Sequence, residues 1–372
     1  MSDDSREEKQ PMLLGESYII PSRQARQSRI YNTTLLPISA YDYSDYFAVI
    51  IEADKWFGKK AYCRYFDKNW VELEPAVESV GFPEFAYYYC RRPLAKYMSI
   101  TETKDERVNF TVPVRDRKVD DPKYTLSLCL APMYVDFERK WLLLAEVVKH
   151  YKLQGVEHFY FYIKDIDSYS LELVNDYVKT GEAEVVFFRE EQDRTSSEWQ
   201  HVEIEVSDDR ITALASSTLV HYISKRLTER SNFALLCFPV RFVLRMRKSP
   251  DIYEGEQTLL DHLPTLVFRN TTSASPTGVT AKCVADPRRV MAMGIHNSYI
   301  SMAGYKTFFV PPDEAVNLHY RELYGDEFYK TRMIIVSRYG PFKIEGYPNH
   351  LIDPLYRNVK RRLDRVYGAN RL

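Results

Sequence analysis

The amino-acid sequence predicts an α/β protein, an alternating α/β layer preceded by a β-rich N-terminal part. Three observations predict it. Between Trp141 and Phe188, two stretches with helical periodicity alternate with two short apolar strands. A glycine, first Gly155 and then Gly181, follows each helical stretch. Upstream, residues 34–130 alternate apolar and polar side chains as strands do.

In chain order, residues 1–33 are acidic and polar and read as a flexible segment without an apolar leader. No run approaches the ~18 apolar residues needed to span a bilayer. The sequence as written therefore predicts neither signal peptide nor membrane anchor, and any membrane association would need an anchor outside it. TLLPISAYDY, YFAVIIEA, KKAYCRYFD, NFTVPVRD and YTLSLCLAPMY then read as strands of a β-rich domain over 34–130. Trp141, Leu144, Ala145 and Val148 mark a half-buried helix, and Gly155 suits its left-handed C-terminal position. VEHFYFYI, Val156 to Ile163, is an aromatic-rich buried strand. Asp165, Asp167 and Ser168 make a polar loop with side chains able to cap a helix. Leu171, Val174, Tyr177 and Val178 mark that helix, Gly181 stops it, and Glu184 to Phe188 forms the next strand.

Strand–helix–strand order implies a right-handed crossover and a parallel sheet, whose ligands bind beyond the carboxyl ends of the strands. Asp165 and Asp167 follow the first such strand, and read equally as nucleotide contacts or as caps. The core extends over 131–330, with a helix at Thr218–Arg226 and one strand, FALLCFPVRFVL, at 233–244. Residues 251–300 read as loop-rich. A C-terminal extension, 331–372, carries a charged helix from Pro354 to about Arg365.

The chain has 372 residues, 45% of them hydrophobic, enough for two domains or one large one with an appendage. A net charge of −1 gives no support to nucleic-acid binding by bulk charge. The 29 tyrosines suit an aromatic core, with some rings available to stack on sugar faces. Cys63, Cys90, Cys129, Cys237 and Cys283 show no CxxC spacing, which argues against a zinc site. In an oxidising lumen their odd number would leave one thiol unpaired. N-glycosylation sequons stand at Asn32, Asn109 and Asn270 and hint at a secretory history.

Several phrases together resemble one family. KWLLLAEVVKHYKLQGVEHFYFYIKDIDSYSLELVNDYVKTGEAEVV, LCLAPMY at 128–134, HLPTLVFRNTT at 262–272, AKCVADPRRVMAMGIH at 281–296 and NLHYRELY at 317–324 are similar to the glycosyltransferase family 92 domain, expanded in nematodes. The resemblance implies a GT-A-like core that moves a hexose, galactose, from a UDP-sugar donor to a glycan acceptor. It implies a divalent metal, Mn²⁺, held by a D-x-D element, because a departing diphosphate accumulates negative charge that hard carboxylate-bound cations neutralise. It also implies a Golgi or secretory-pathway membrane protein.

The sequence departs from the family after Glu198-Trp199-Gln200-His201. A helix carrying Asp-Cys and a strand ending in D-x-D-E-R are expected there, yet EWQHVEIE runs straight into VSDDRITALASSTL. Asp208-Asp209-Arg210 aligns with the tail of the metal motif, and Val206 stands near its first Asp. Asp208 and Asp209 read as metal ligands through the resemblance, and as a solvated turn or cap without it. An impaired form or binding module lacking the D-x-D strand is the alternative function. Glu198 offers a proton acceptor and Trp199 a stacking face on the sugar side. His296 reads as a catalytic position or as a hydrogen-bonded structural residue. His319 with Arg321 reads as a diphosphate contact or a surface ion pair. Lys282 and Arg288, with Arg289, could grip phosphate or form a solvated rim.

Overall fold

The computed structural model describes residues 35–42, 47–53, 59–73, 76–82, 85–88, 94–108, 111–116, 122–133, 138–163, 165–187, 209–213, 218–294, 296–320 and 341–368. The predicted segment 1–33 and the sequons at Asn32 and Asn109 lie outside them. The chain divides into two compact units, 1–123 with 187–196, and 124–186 with 197–372.

The first unit is a closed barrel. Its strands are β1 (Leu35–Asp42), β2 (Phe47–Ala53), β3 (Lys60–Phe66), β4 (Val77–Phe82), β5 (Phe85–Tyr88), β6 (Tyr97–Thr101) and β7 (Val112–Asp116). They run round it in the order β1-β2-β5-β4-β3-β6-β7, and a parallel β7–β1 pair closes it. Closure removes the exposed sheet edges that an open meander would leave. In β3, Ala61, Cys63 and Tyr65 are buried while the residues between them are half-exposed. Small Ala40, Ala61 and Cys63 leave space for Phe47 and Tyr65, whose rings meet edge to face at 5.4 Å. Strands β4, β5 and β6 were not anticipated from the sequence. VESVGF is interrupted by a glycine and FAYY is only four residues long, so neither gives a sustained alternation.

The second unit is a mixed α/β assembly. In order it contains β8 (Ser127–Met133), α1 (Trp141–Leu153), β9 (His158–Ile163), α2 (Ser168–Lys179), β10 (Ala183–Phe187), β11 (Asp209–Ala213), α3 (Leu219–Glu229), β12 (Phe233–Phe238) and β13 (Val240–Phe242). There follow α4 (Glu256–His262), α5 (Pro264–Val267), β14 (Asn270–Thr271), β15 (Lys282–Ala285), β16 (Val290–Met293), β17 (Ser298–Ser301), β18 (Lys306–Phe309), β19 (Ala315–His319), β20 (Lys343–Ile344) and α6 (Asn349–Leu363). The three-stranded sheets have orders β10-β9-β8, β11-β19-β13 and β15-β12-β18, and β14-β20 and β16-β17 form ribbons.

The expected strand–helix–strand core is present, and β8 pairs parallel with β9. Residues 124–130, read as the end of the β-rich part, thus feed the sheet of the second unit. Gly155 at φ 92° and Gly181 at φ 71° occupy the left-handed positions that the helix ends require. A Cβ on Gly155 would also lie 2.5 Å from Val220 Cγ1. The helix α1 is not half-buried as its periodicity predicts. Every residue from Trp141 to Val148 is buried, because α6, α2 and β11 all pack against it.

Three other expectations are corrected. The predicted strand 233–244 is two strands in different sheets, divided by Pro239, which has no N–H to continue a ladder. The stretch 251–300 holds two short helices and four short strands, the last ending at Ser301, beside its loops. The C-terminal helix starts at Asn349, so Pro354 lies within it and removes one backbone rung. Burial of Leu355, Val359 and Leu363 at a four-residue spacing holds this helix instead.

A charged cluster ties α6 to the core. Arg362, 6% exposed, pairs with Asp176 and Glu182, and its guanidinium lies 4.1 Å from the Tyr177 ring centroid. Burial would raise the Glu182 carboxyl, but the Thr180 hydroxyl, Lys149 and Arg362 hold it down at about 2. Burial, aided by the Arg362 charge and opposed by Glu182, lowers Lys149 to about 8. A disulfide joins Cys237 of β12 to Cys283 of β15, which stand directly opposite in an antiparallel pair.

Two predictions follow from these contacts. The depressed Glu182 carboxyl gives up its proton more readily in the folded chain, so its stabilisation is complete above about pH 4.5 and is lost as pH falls towards 2. Urea titrations between pH 6 and pH 2 should show this acid limb, and Glu182→Gln should flatten it. The disulfide closes a loop of 46 residues, so Cys283→Ser should lower stability by about 4 kcal/mol in the loop-entropy account. A non-reducing peptide map should recover the Cys237–Cys283 pair; two free thiols there would refute it.

Candidate functional site

Asp209 opens β11, and β11 runs antiparallel to β19 with Asp209 opposite His319 and Ile211 opposite Asn317. Strand β19, AVNLH, is buried throughout because it lies at the centre of its sheet. On its other side it runs parallel to β13, with His319 level with Phe242. The hydrogen bonds fix which residues face which neighbour. Asn317 N–H donates to the Pro239 carbonyl at 2.8 Å, and the His319 carbonyl accepts from Val243 N–H at 2.8 Å. The backbone groups of Asn317 and His319 therefore point towards β13. Alternation then makes Asp209–His319 a non-hydrogen-bonded pair on the β11 side, the type with the closest Cα approach, about 4.5 Å. His319 is 7% exposed, and its ring meets Phe242 edge-on at 5.2 Å.

A second group of predicted residues surrounds β15. Lys282, half-buried, stands opposite Phe238. Arg288 is engaged by Asp286, which accepts from its backbone N–H at 3.0 Å and from its guanidinium at 3.1 and 3.0 Å. Arg289 pairs with the same carboxylate at 3.0 Å and lies over the Tyr305 ring. Burial works against the Asp286 charge, but the Arg288 hydrogen bonds and both guanidinium charges hold its carboxyl below the usual range. The rim at 286–289 is thus one carboxylate shared by two arginines. His296 is exposed, with Nδ1 3.0 Å from the Ala281 carbonyl.

The two acids after β9 have different settings. Asp167 caps α2, accepting from Ser170 N–H at 2.9 Å and from the Ser170 hydroxyl at 2.6 Å, with Arg139 at 3.9 Å. Asp165 is half-buried, and its N–H donates to the Met133 carbonyl, tying the ends of β8 and β9 together. Glu198, Trp199, Asp208 and Arg321 lie outside the described residues. Among the predicted positions, then, Asp209 and His319 are brought opposite each other on adjacent strands, while Lys282 lies on β15, Arg288 in the turn after it and His296 in the bend after β16. No three His, Cys, Asp or Glu side chains converge on a metal-sized site among the described residues.

The sequence reading missed a row of buried polar residues on α1. Glu146, His150 and Gln154 are spaced by four and at most 1% exposed. Glu146 accepts from the Thr265 N–H at 2.9 Å and hydroxyl at 2.7 Å. Gln154 accepts from Leu219 N–H at 2.8 Å. His150 reaches the Ile211 carbonyl at 3.0 Å and the Tyr347 hydroxyl at 2.6 Å. Their four-residue spacing inside an otherwise apolar helix was the available signal.

The model of glycosyltransferase family 92 matches the chain in two stretches, residues 124–208 and 207–355. They meet at the point where the sequence departs from the family phrase. No curated protein matches the chain. With most of the chain matched, including every residue of the Asp209–His319 pair and the strands around it, the protein belongs to glycosyltransferase family 92.

Proposed function

We propose that the chain is a hexosyltransferase with a GT-A-like nucleotide-sugar core, moving galactose from a UDP-sugar to a glycan acceptor with the help of a divalent cation. Family membership supports a glycosyltransferase. The observation that carries the finer reading is the register of Asp209 against His319 at the carboxyl ends of β19 and β13, where α/β sheets bind their ligands. Aspartate and histidine, the residue types that the register sets opposite each other, suit Mn²⁺ in kind. Such ions take few protein ligands and complete their shell with nucleotide phosphates and water. Asp208 and Asp209 would hold the cation, which when bound neutralises charge on the departing diphosphate.

His319 and Arg321 would meet the diphosphate, with Lys282 and Arg288 as further phosphate contacts; Arg288 would exchange Asp286 for the ligand. Asp165 and Asp167 would lie on the nucleotide side, Asp167 keeping its capping role. Trp199 would stack on the sugar. Glu198 or His296 would accept the proton of the acceptor hydroxyl. The Cys237–Cys283 disulfide supports maturation in the secretory pathway, since such bonds persist in oxidising compartments. No described helix is long and apolar enough to cross a membrane.

The two-piece family match favours one second reading, an impaired form that lacks the D-x-D strand. Incubation with UDP-galactose, Mn²⁺ and glycan acceptors should give transfer, and Asp209→Asn should reduce it on the order of 100-fold. Absence of both transfer and donor hydrolysis with several UDP-sugars would establish the impaired form instead. Sequencing the transcript across codons 198–212 should then reveal whether a longer form exists. Glycosidase-sensitive mobility of the native protein would confirm the secretory route, and an unglycosylated chain would refute it.

A further inference from the structure

Strand β11 has one edge paired with β19 and one edge that no strand covers among the described residues. A strand presents unpaired N–H and C=O groups on an uncovered edge at every second residue. At Ile211 both of these groups are taken by side chains of α1. The Ile211 N–H donates to the Tyr151 hydroxyl at 3.1 Å, and the Ile211 carbonyl faces His150 Nε2 at 3.0 Å. A carbonyl can only accept, so Nε2 carries a hydrogen, and Nδ1 on the other side of the ring is engaged by the Tyr347 hydroxyl at 2.6 Å. His150 and Tyr151 are 0% and 3% exposed, and Ile211 is 5% exposed. Two adjacent residues of one rigid helix thus grip both polar groups of one residue of the strand.

We propose that His150 and Tyr151 are positioning residues, a clamp that sets the height of β11 and through it the placement of Asp209 opposite His319. The proposal rests on the transferase reading for what Asp209 does there, and on geometry alone for the clamp. Asp209 is two residues from Ile211, on the same side of the strand, so a shift at Ile211 is passed directly to it. A misplacement of about 1 Å at such a site is enough to cost on the order of 100-fold in rate. Tyr347 extends the clamp, because it leads directly into α6 and holds the His150 ring in one orientation.

Tyr151→Phe removes one hydroxyl from the folded chain and keeps the ring. Hydrogen exchange at the Ile211 amide should become about fivefold faster, the loss expected for one buried hydrogen bond. Calorimetric titration of the same variant with UDP should need about fivefold more Mn²⁺ for half-saturation. Val148→Ala, on the same helix, should lower the melting temperature without altering the Mn²⁺ requirement. His150→Gln, whose amide can still donate to the Ile211 carbonyl, should keep the Mn²⁺ requirement closer to wild type than His150→Leu. Unchanged exchange at Ile211 in Tyr151→Phe would overturn the clamp. Faster exchange with an unchanged Mn²⁺ requirement would overturn its role in positioning. A wild-type chain that binds no UDP with Mn²⁺ would reject the transferase reading, while the exchange comparison would still decide whether the clamp holds β11.

Discussion

The second unit depends on one constraint, the burial of α1 along nearly its whole length, from Trp141 to Val148 and again at His150 and Tyr151. A helix buried to this extent cannot leave its buried polar groups unpaired without a cost of roughly 1–3 kcal/mol each. Its polar side chains are therefore committed. Trp141 Nε1 donates to the Pro250 carbonyl, Glu146 holds Thr265, His150 and Tyr151 hold Ile211, and Gln154 holds the start of α3. These bonds reach four different segments, and most end on backbone that no sheet or helix ladder satisfies. The helix is thus both the core of the unit and the frame on which its loops and edge strand are hung.

The same logic explains the buried pair of Glu138 and Arg245. Both side chains are almost inaccessible, and the two guanidinium contacts are 2.8 and 2.6 Å, with Ser249 N–H adding a third bond to the carboxylate. Burial alone would favour the neutral acid, yet the Arg245 hydrogen bonds and charge outweigh it and keep Glu138 ionised. Such a pair adds little net stability over an apolar replacement, but removal of one member strands a buried charge. It fixes the chain just before α1 against the stretch that follows β13. The ion cluster around Arg362 does the equivalent at the far end of the chain, fastening α6 to α2.

Much of this arrangement is legible in the sequence, and the illegible parts have physical causes. The two glycines, the α1–β9–α2–β10 succession and the Thr218 cap of α3 follow from local patterns, because they depend on residues within a few positions. The burial of α1 does not, since a helix that is apolar on most faces gives no stripe to read, and its polar positions look like a solvent face until their partners are known. The Cys237–Cys283 bond joins strands far apart in sequence and needs the register of β12 against β15. The pairing of Asp209 with His319 is of the same kind: each residue is recognisable in its own phrase, but only the antiparallel register brings them together.

That register also bears on the metal motif. In the family phrase the acids end a strand, whereas in this structure Asp209 begins one. At the amino end of a parallel strand such a residue would face away from the ligand edge of the sheet. Strand β11 is antiparallel to β19, and β19 is parallel to β13, so the amino end of β11 lies level with the carboxyl ends of β19 and β13. Reversal of one strand thus returns the acid to the carboxyl-end edge of the sheet. The outer side of β11 is closed at Ile211 by α1, which leaves no place there for another strand to pair.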